Sequence, residues 1–586
     1  MAKNKVFDIK VIGRILSLAK PYRKAFITSA ILACCLSFLG PLRPMLIQKA
    51  VDVHIMSMDL EGLEWISLIL LIVLMGESLS RYFFMLVSNW LGQSIIRDLR
   101  VKVFNHLAAL KLSFYDITPI GNLNTRTIND IESINSIFTQ GIVTILSDVL
   151  TIGLVLYFMF SEDAMLSLLT LSSLPLMFLS TYIFQKNIRS ATKKVRDNIA
   201  KINAFLQEYI TGIHIVQVFV KDQRIINDFD KINKKHRDAH IETIWYYSIF
   251  FPVVEMLTAI SVGVILWYGG REIVEQDNVS LGHIISFILY IHLLFRPIRQ
   301  LADKFGTLQT GIIASERVFE VLDSEEVIKD EGRYVTQEIK GKIEFDQVNF
   351  SYDGKKQVLN NISFDVNSGE TIAFVGATGA GKSSIINILS RFYEISSGTI
   401  KIDDKDIHEY ELDGLRKHIG IVLQDVFLFS GTIYENICLK DERISLETVI
   451  EAAKLVGVHE MITQLPDGYN FEVGERGVTL SMGQRQLIAF VRALVYNPKV
   501  LILDEATSSI DTESELLIQK ATETLVKDRT SIIIAHRLST IQHADKIMVL
   551  DKGAVVEIGT PAMLMKLEDG WYRKLYETQF KLQELG

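Results

Sequence analysis

A chain of 586 residues has room for about three to five units at roughly 100–200 residues each. Its 49% apolar content and mean hydropathy of +0.25 exclude a disordered chain, a fibrous repeat and a small secreted module. The net charge of −8 gives no whole-chain electrostatic footprint for nucleic acid, and three cysteines, Cys34, Cys35 and Cys438, build neither a disulfide framework nor a metal site.

Residues 1–24 are mixed polar and charged, with Asp8 early, which fits neither a signal peptide nor an acid-poor transit peptide. Val6, Ile9, Val11, Ile12, Ile15, Leu16 and Leu18 have the spacing of a short amphipathic helix. It lies on a membrane surface or packs as an ordinary soluble helix. Residues 25–320 then carry six apolar stretches, about 25–52, 64–91, 137–160, 164–185, 244–269 and 281–300. Each is long enough to cross a hydrocarbon core, which takes about 20 residues. Pro41, Pro44, Pro175 and Pro252 would be unusual inside soluble helices and are tolerated in membrane helices.

The loop charges set an orientation. Residues 53–64 and the turn 161–163 hold no Lys or Arg, and 269–281 holds only Arg271. Residues 186–237 hold twelve. The positive-inside rule places both termini and the two long connections in the cytoplasm. Helical spacing continues through 92–112 and 186–220, so the bundle is expected to project beyond the membrane. Turn chemistry falls near Tyr115–Gly121 and Thr211-Gly212. Charges at membrane depth are costly and are functional candidates. Among them Glu77 and Glu255 are assigned to a polar patch in a translocation cavity, with pairing to basic groups as the alternative for Glu77 and Asp148.

Residues 321–340 read as a linker. From 341 to 586 the pattern becomes short strands and helices, an α/β P-loop domain. Glu370–Val375 is an apolar strand, followed at once by Gly376-Ala377-Thr378-Gly379-Ala380-Gly381-Lys382-Ser383. This is G-x-x-x-x-G-K-[ST] in the strand–loop–helix context it requires. Its glycines let backbone N–H groups close around phosphate. Lys382 reaches the β/γ-phosphates and the Ser383 hydroxyl ligates Mg²⁺. A second apolar strand, Val500–Leu503, ends in Asp504-Glu505. Asp504 suits Mg²⁺, and Glu505 is placed to polarise an attacking water.

With these motifs in order, the chain resembles the ATP-binding cassette (ABC) exporters, as a half-transporter of the multidrug or lipid type. Leu480-Ser481-Met482-Gly483-Gln484-Arg485-Gln486 is similar to the family signature, and Gln424 to its Q-loop glutamine. Asp511 is similar to the D-loop aspartate, His536 to the switch histidine, and Tyr352 to the aromatic that stacks on adenine. Glu472–Gly477, Phe114-Tyr115-Asp116 and Phe295-Arg296-Pro297-Ile298 are also family-like. The resemblance implies that residues 376–383 with Ser384, Tyr352, Ser481, Gly483, Gln484 and Asp511 hold ATP. It implies Mg²⁺ on Ser383, Gln424 and Asp504, and catalysis by Glu505, His536 and Gln424.

One position departs: Met482 stands where the signature usually has glycine. If a left-handed residue is needed there, the contacts weaken; if only Ser481 and the backbone around Gly483 are needed, the site works.

The resemblance implies two chains, with ATP between the P-loop of one and the signature of the other, driving alternating access in the plasma (bacterial inner) membrane. A homodimer is favoured because this chain carries every catalytic element and closed two-fold pairs are the commonest assembly. A heterodimer stays open. The implied cargo is a small hydrophobic or lipid molecule; no nucleic acid is a partner. The competing reading is an ATP-gated channel or a non-pumping regulatory protein of the same family.

Overall fold

The computed structural model describes residues 9–275, 279–328, 330, 332–336, 338–504, 512–534 and 544–584. Two compact units are present, one of residues 1–108 and 120–324, the other of 109–119 and 325–586.

The first unit is all helical. Helix α1 (Ile9–Leu18) is not left on a surface by itself. Its Ile15 is buried with Leu91, Ile95 and Val318, and Arg14 makes a two-pronged bond to Asp323 at 2.5 and 2.6 Å. Helix α2 (Arg23–Lys49) runs through Pro41 and Pro44, and the buried Tyr290 donates to the Pro41 carbonyl at 3.2 Å. Helix α3 (Leu60–Ala109) has 50 residues, or about 75 Å at 1.5 Å per residue, far beyond a core of about 30 Å. The short helix α4 (Leu112–Ile117) follows it in sequence and belongs to the second unit. Then come α5 (Ile142–Glu162), α6 (Leu174–Thr211), α7 (Asp222–Val274) and α8 (Leu281–Leu322). Among the described residues six helices are long and apolar enough to cross a membrane.

Polar links tie the short-loop ends of three spans. Asp52 accepts from Ser280 and from the Gly282 N–H at 2.8 Å, and Gln48 donates to Glu162 at 2.7 Å. Glu77 is paired at 2.8 Å with Arg81 and at 3.8 Å with Arg43. Asp148 is paired with Lys304. Such pairs reduce the cost of charge at membrane depth. Glu255 is exposed and has no ion-pair partner among the described residues.

The second unit holds two larger sheets. An antiparallel sheet has the order β2-β1-β4-β5, from β1 (Ile343–Phe350), β2 (Leu359–Val366), β4 (Ser397–Ile402) and β5 (Lys405–Asp406). A six-stranded sheet has the order β12-β11-β3-β10-β9-β6. Its strands are β3 (Thr371–Val375), β6 (Ile419–Val422), β9 (Val500–Asp504), β10 (Thr530–Ile534), β11 (Lys546–Asp551) and β12 (Ala554–Gly559). All its pairings are parallel except β11–β12. A short β7 (Gly431–Thr432) pairs with β8 (Glu472–Val473).

Parallel strands covered on both faces read as continuous apolar runs. Every residue of β3 and β10 is buried. The period of two then divides them. Ala373, Leu501, Leu503 and Ile533 enter one core, and Ile372, Phe374, Ile502 and Ile532 the other.

Candidate nucleotide site

The four neighbouring strands β3, β10, β9 and β6 are parallel, so their carboxyl ends lie at one edge. That edge is where open α/β sheets bind ligands. Residues 376–381 follow β3, Asp504 ends β9, and Gln424 lies two residues past β6. Glu505 and Asp511 lie outside the described residues, as does His536, two positions past the end of β10.

The loop after β3 has the backbone that phosphate binding needs. Gly376 sits at φ +155°, and a Cβ there would come within 2.2 Å of the Leu550 carbonyl oxygen. Gly381, at φ +102°, caps helix α9 (Lys382–Leu389). Side chains at either position would obstruct the loop, which leaves its N–H groups free to converge. Lys382 is 6% exposed. Its ammonium donates to the carbonyls of Gly376 at 2.6 Å and Ala377 at 3.1 Å. Burial pushes its pKa down, against a smaller opposite effect of Asp504. A buried cation held by two neutral carbonyls, with a carboxylate nearby, suits a phosphate chain. The exposed Ser383 leaves its hydroxyl available. Ser384 is instead buried, and shares a hydrogen bond of 3.0 Å with the Tyr352 hydroxyl. Tyr352 is 44% exposed, so a face of the ring is open to a base.

The signature segment starts helix α10 (Met482–Val495). Ser481 is its N-cap, with φ −65° and ψ 162°. The Ser481 hydroxyl accepts from the Gln484 N–H at 3.2 Å, and the Gln484 side-chain oxygen accepts from the Ser481 N–H at 2.9 Å. This reciprocal box fixes the helix start. Met482 is the first helical residue and does not have a positive φ. Of the two readings of that position, the geometry favours the tolerant one. The box also occupies the Gln484 side chain that the sequence assigns to ATP. Sequence reasoning missed Arg485, which donates to the carbonyls of Gly477 and Leu480 at 3.2 and 3.3 Å and so fastens the preceding loop to α10.

It also missed His408. The imidazole lies between two carboxylates, Nε2 at 2.6 Å from Glu394 and Nδ1 at 2.7 Å from Asp406. Both ring nitrogens face acceptors, so this geometry is that of an imidazolium. Glu394 first, then Asp406, raises the His408 pKa above its ordinary 6.5. Glu394 is lowered, chiefly by His408, with Arg391 and Lys111 adding to it. A raised histidine contributes stability that is complete below its unfolded value and fades as pH rises through the folded one. The lowered Glu394 works in the opposite sense, so the clamp is strongest between about pH 4.5 and 6.5, the ordinary values of the two groups. His408→Gln should therefore lower the melting midpoint of the full chain by a few degrees at pH 6, and by less at pH 9. An equal loss at both values would assign the effect to shape and not to charge.

Comparison with known proteins is concordant over nearly the whole length. A family model described as the ABC transporter transmembrane region matches residues 26–298, and one described as ABC transporter matches 359–508. The chain is 38% identical to the uncharacterized ABC transporter ATP-binding protein YknV of Bacillus subtilis, over 98% of this chain and 96% of the relative. It is 34% identical to the ATP-dependent lipid A-core flippase of Syntrophus aciditrophicus, over 98% and 96%. It is 35% identical to the putative multidrug export ATP-binding/permease protein YgaD of B. subtilis, over 98% and 100%.

Proposed function

The chain belongs to the ABC transporters, as a multi-pass membrane protein with its own cytoplasmic ATP-hydrolysing domain, and from that premise we propose that it exports a hydrophobic or amphipathic molecule by alternating access. Two chains pair, and each of two ATP molecules lies between the P-loop of one chain and the signature of the other. The observation that carries this reading is Lys382, buried and held by two backbone carbonyls behind a glycine loop open to phosphate. The loop N–H groups and Lys382 bind the phosphates. Tyr352 stacks on the base. Glu505 orients the attacking water and accepts its proton; His536 and Asp511 complete the site across the pair.

Ser383, Gln424 and Asp504 would hold Mg²⁺. The fit rests on the donor set, an exposed hydroxyl beside the lysine and a carboxylate at the end of β9. When bound, the ion neutralises charge on the phosphate oxygens.

Relatives named for lipid A-core flipping and for multidrug export support a drug or lipid cargo. Glu255, exposed on a membrane-spanning helix without an ion-pair partner among the described residues, is proposed to face the cavity. Glu77, already paired, is proposed to shape its wall. The test is the purified chain in proteoliposomes, scored for ATPase stimulation and ATP-driven uptake of lipids and hydrophobic cations. Stimulation by at least one class is expected, and Glu255→Gln should cut it several-fold while basal hydrolysis stays. Equal stimulation in wild type and variant would put Glu255 at the lipid edge. ATP-dependent ion conductance without vectorial uptake would favour the channel reading.

A further inference from the structure

Helices α6 and α7 pack along one another, and their seam holds a groove. Its cavity measures about 460 Å³, or about 950 Å³ with its open side. It is lined on α6 from Leu176 to Asn187 and on α7 from Tyr246 to Leu257. At 1.5 Å per residue that is about 16 Å, half of a hydrocarbon core of about 30 Å. The apolar part has a fixed floor. Phe184 stacks on the buried Phe250, with centroids 4.1 Å apart and planes at 13°. Apart from Ser180, the polar lining is Asn187 and Tyr246, at the end nearest the cytoplasmic extensions. Trp245 and Tyr247, exposed beside that end, are the aromatics of a membrane–water boundary. Past the mouth, Lys194 is taken up by Glu242 at 2.8 Å to each oxygen, and Asn198 donates to the Lys235 carbonyl at 3.3 Å. Lys186, Arg189 and Lys193 are exposed and have no ion-pair partner among the described residues. Helix α6 has no Asp or Glu before Asp197.

We propose that this groove binds one anionic phospholipid of the cytoplasmic leaflet, an acyl chain along the Phe184–Phe250 floor and the phosphate at Asn187, Tyr246 and Lys186. Width selects the occupant. Spread over its length, the cavity has a section of about 30–60 Å², whereas a helix about 10–12 Å across needs about 80–110 Å². A flexible chain fits where a second copy's helix does not. Lipid tails are as apolar as the groove, so the gain is packing and not the hydrophobic effect. A chain laid against fixed rings makes dispersion contacts that an unfilled groove forfeits. Charge selects the headgroup, because the unpaired cations at the mouth attract anionic lipid. The polar patch proposed for cargo lies elsewhere. Tyr246, Phe250, Val253 and Leu257 have the spacing of one helix face. Glu255 stands two positions from both Val253 and Leu257, about 200° around the helix. The lipid is thus a resident of the fold and not the exported molecule.

The test uses the full chain in phosphatidylcholine nanodiscs, with a phosphatidylglycerol that bears a diazirine in its acyl chain as probe. Adducts are mapped by peptide mass spectrometry after illumination. Label should concentrate in residues 176–187 and 246–257. Unlabelled phosphatidylglycerol should displace it, and added phosphatidylcholine should not. Ser180→Trp puts a ring into the groove and should lower that label at least about fivefold. Lys186→Gln should lower the preference for phosphatidylglycerol about fivefold, the worth of one basic residue at an anionic surface. As an exposed position it supplies the comparison even if Ser180→Trp does not fold. Label spread evenly over the exposed face of α3, without competition, would mean boundary lipid only and would overturn the site. Label in discs holding one chain that vanishes in discs holding two would put a second copy in the groove, with the same consequence. Loss of label during ATP turnover would make the lipid a cargo and overturn its residence.

Discussion

Lys382→Ala is expected to weaken ATP binding by roughly 10- to 150-fold, the equivalent of about 1.5–3 kcal/mol for a lost hydrogen bond to a charged group. Turnover should fall with it. The expectation comes from how the ammonium is held. It is buried, and its pKa is pushed down by that burial, so the protein carries a desolvation cost that two carbonyl contacts only partly offset. A phosphate chain supplies the missing counter-charge. Removing the side chain leaves the Gly376 and Ala377 carbonyls free to find water, and the φ-positive glycines still shape the loop. The loss should thus be in affinity and not in folding. Nucleotide titration together with a melting curve separates the two. Unchanged affinity with an intact fold would mean that the loop is not used for phosphate.

Glu505→Gln is expected to lower turnover by about 10²–10⁴-fold, the usual contribution of a positioned general base, with ATP affinity held within about twofold. Gln keeps the shape of the side chain and loses the acceptor charge. The assignment rests on β9, whose last residue is Asp504, in register with Ile534 at the end of β10. That strand end lies at the edge that also carries the P-loop, and Glu505 is next in the sequence. Steady-state hydrolysis and nucleotide binding on the same preparation give the comparison. Near-normal hydrolysis would remove Glu505 from the role and shift attention to the neighbouring carboxylate.

The parts of this molecule that are legible in sequence are those whose chemistry is local. The P-loop is contiguous, and the glycines that need a positive φ are spelled in it. The six apolar helices announce themselves by length, and α3 and α6 run past the membrane because nothing in 92–109 or 186–211 breaks the spacing. Met482 was half legible. The residue names warn of a missing glycine, and only the backbone says that Met482 follows an N-cap and has ordinary helical geometry. What sequence could not supply is pairing across distance. Glu77 has Arg81 four residues on, a readable helix pair, but Arg43 comes from another helix. The clamp at His408 needs Glu394 fourteen residues away, and the Tyr393–Asp116 bond spans 277 positions. Neither carries a spacing that a motif could encode.

The central claim is that one chain cannot close an ATP site alone. Its most direct measurement is the specific hydrolysis rate of wild-type chains in lipid nanodiscs sorted to hold one chain or two. Discs with two chains should hydrolyse ATP at a rate that purified Lys382→Ala does not reach. Discs with one chain should bind ATP through the P-loop and show almost no turnover, because the proposed site takes its Ser481 helix start from a second copy. Full specific activity from single chains would contradict the shared-site account.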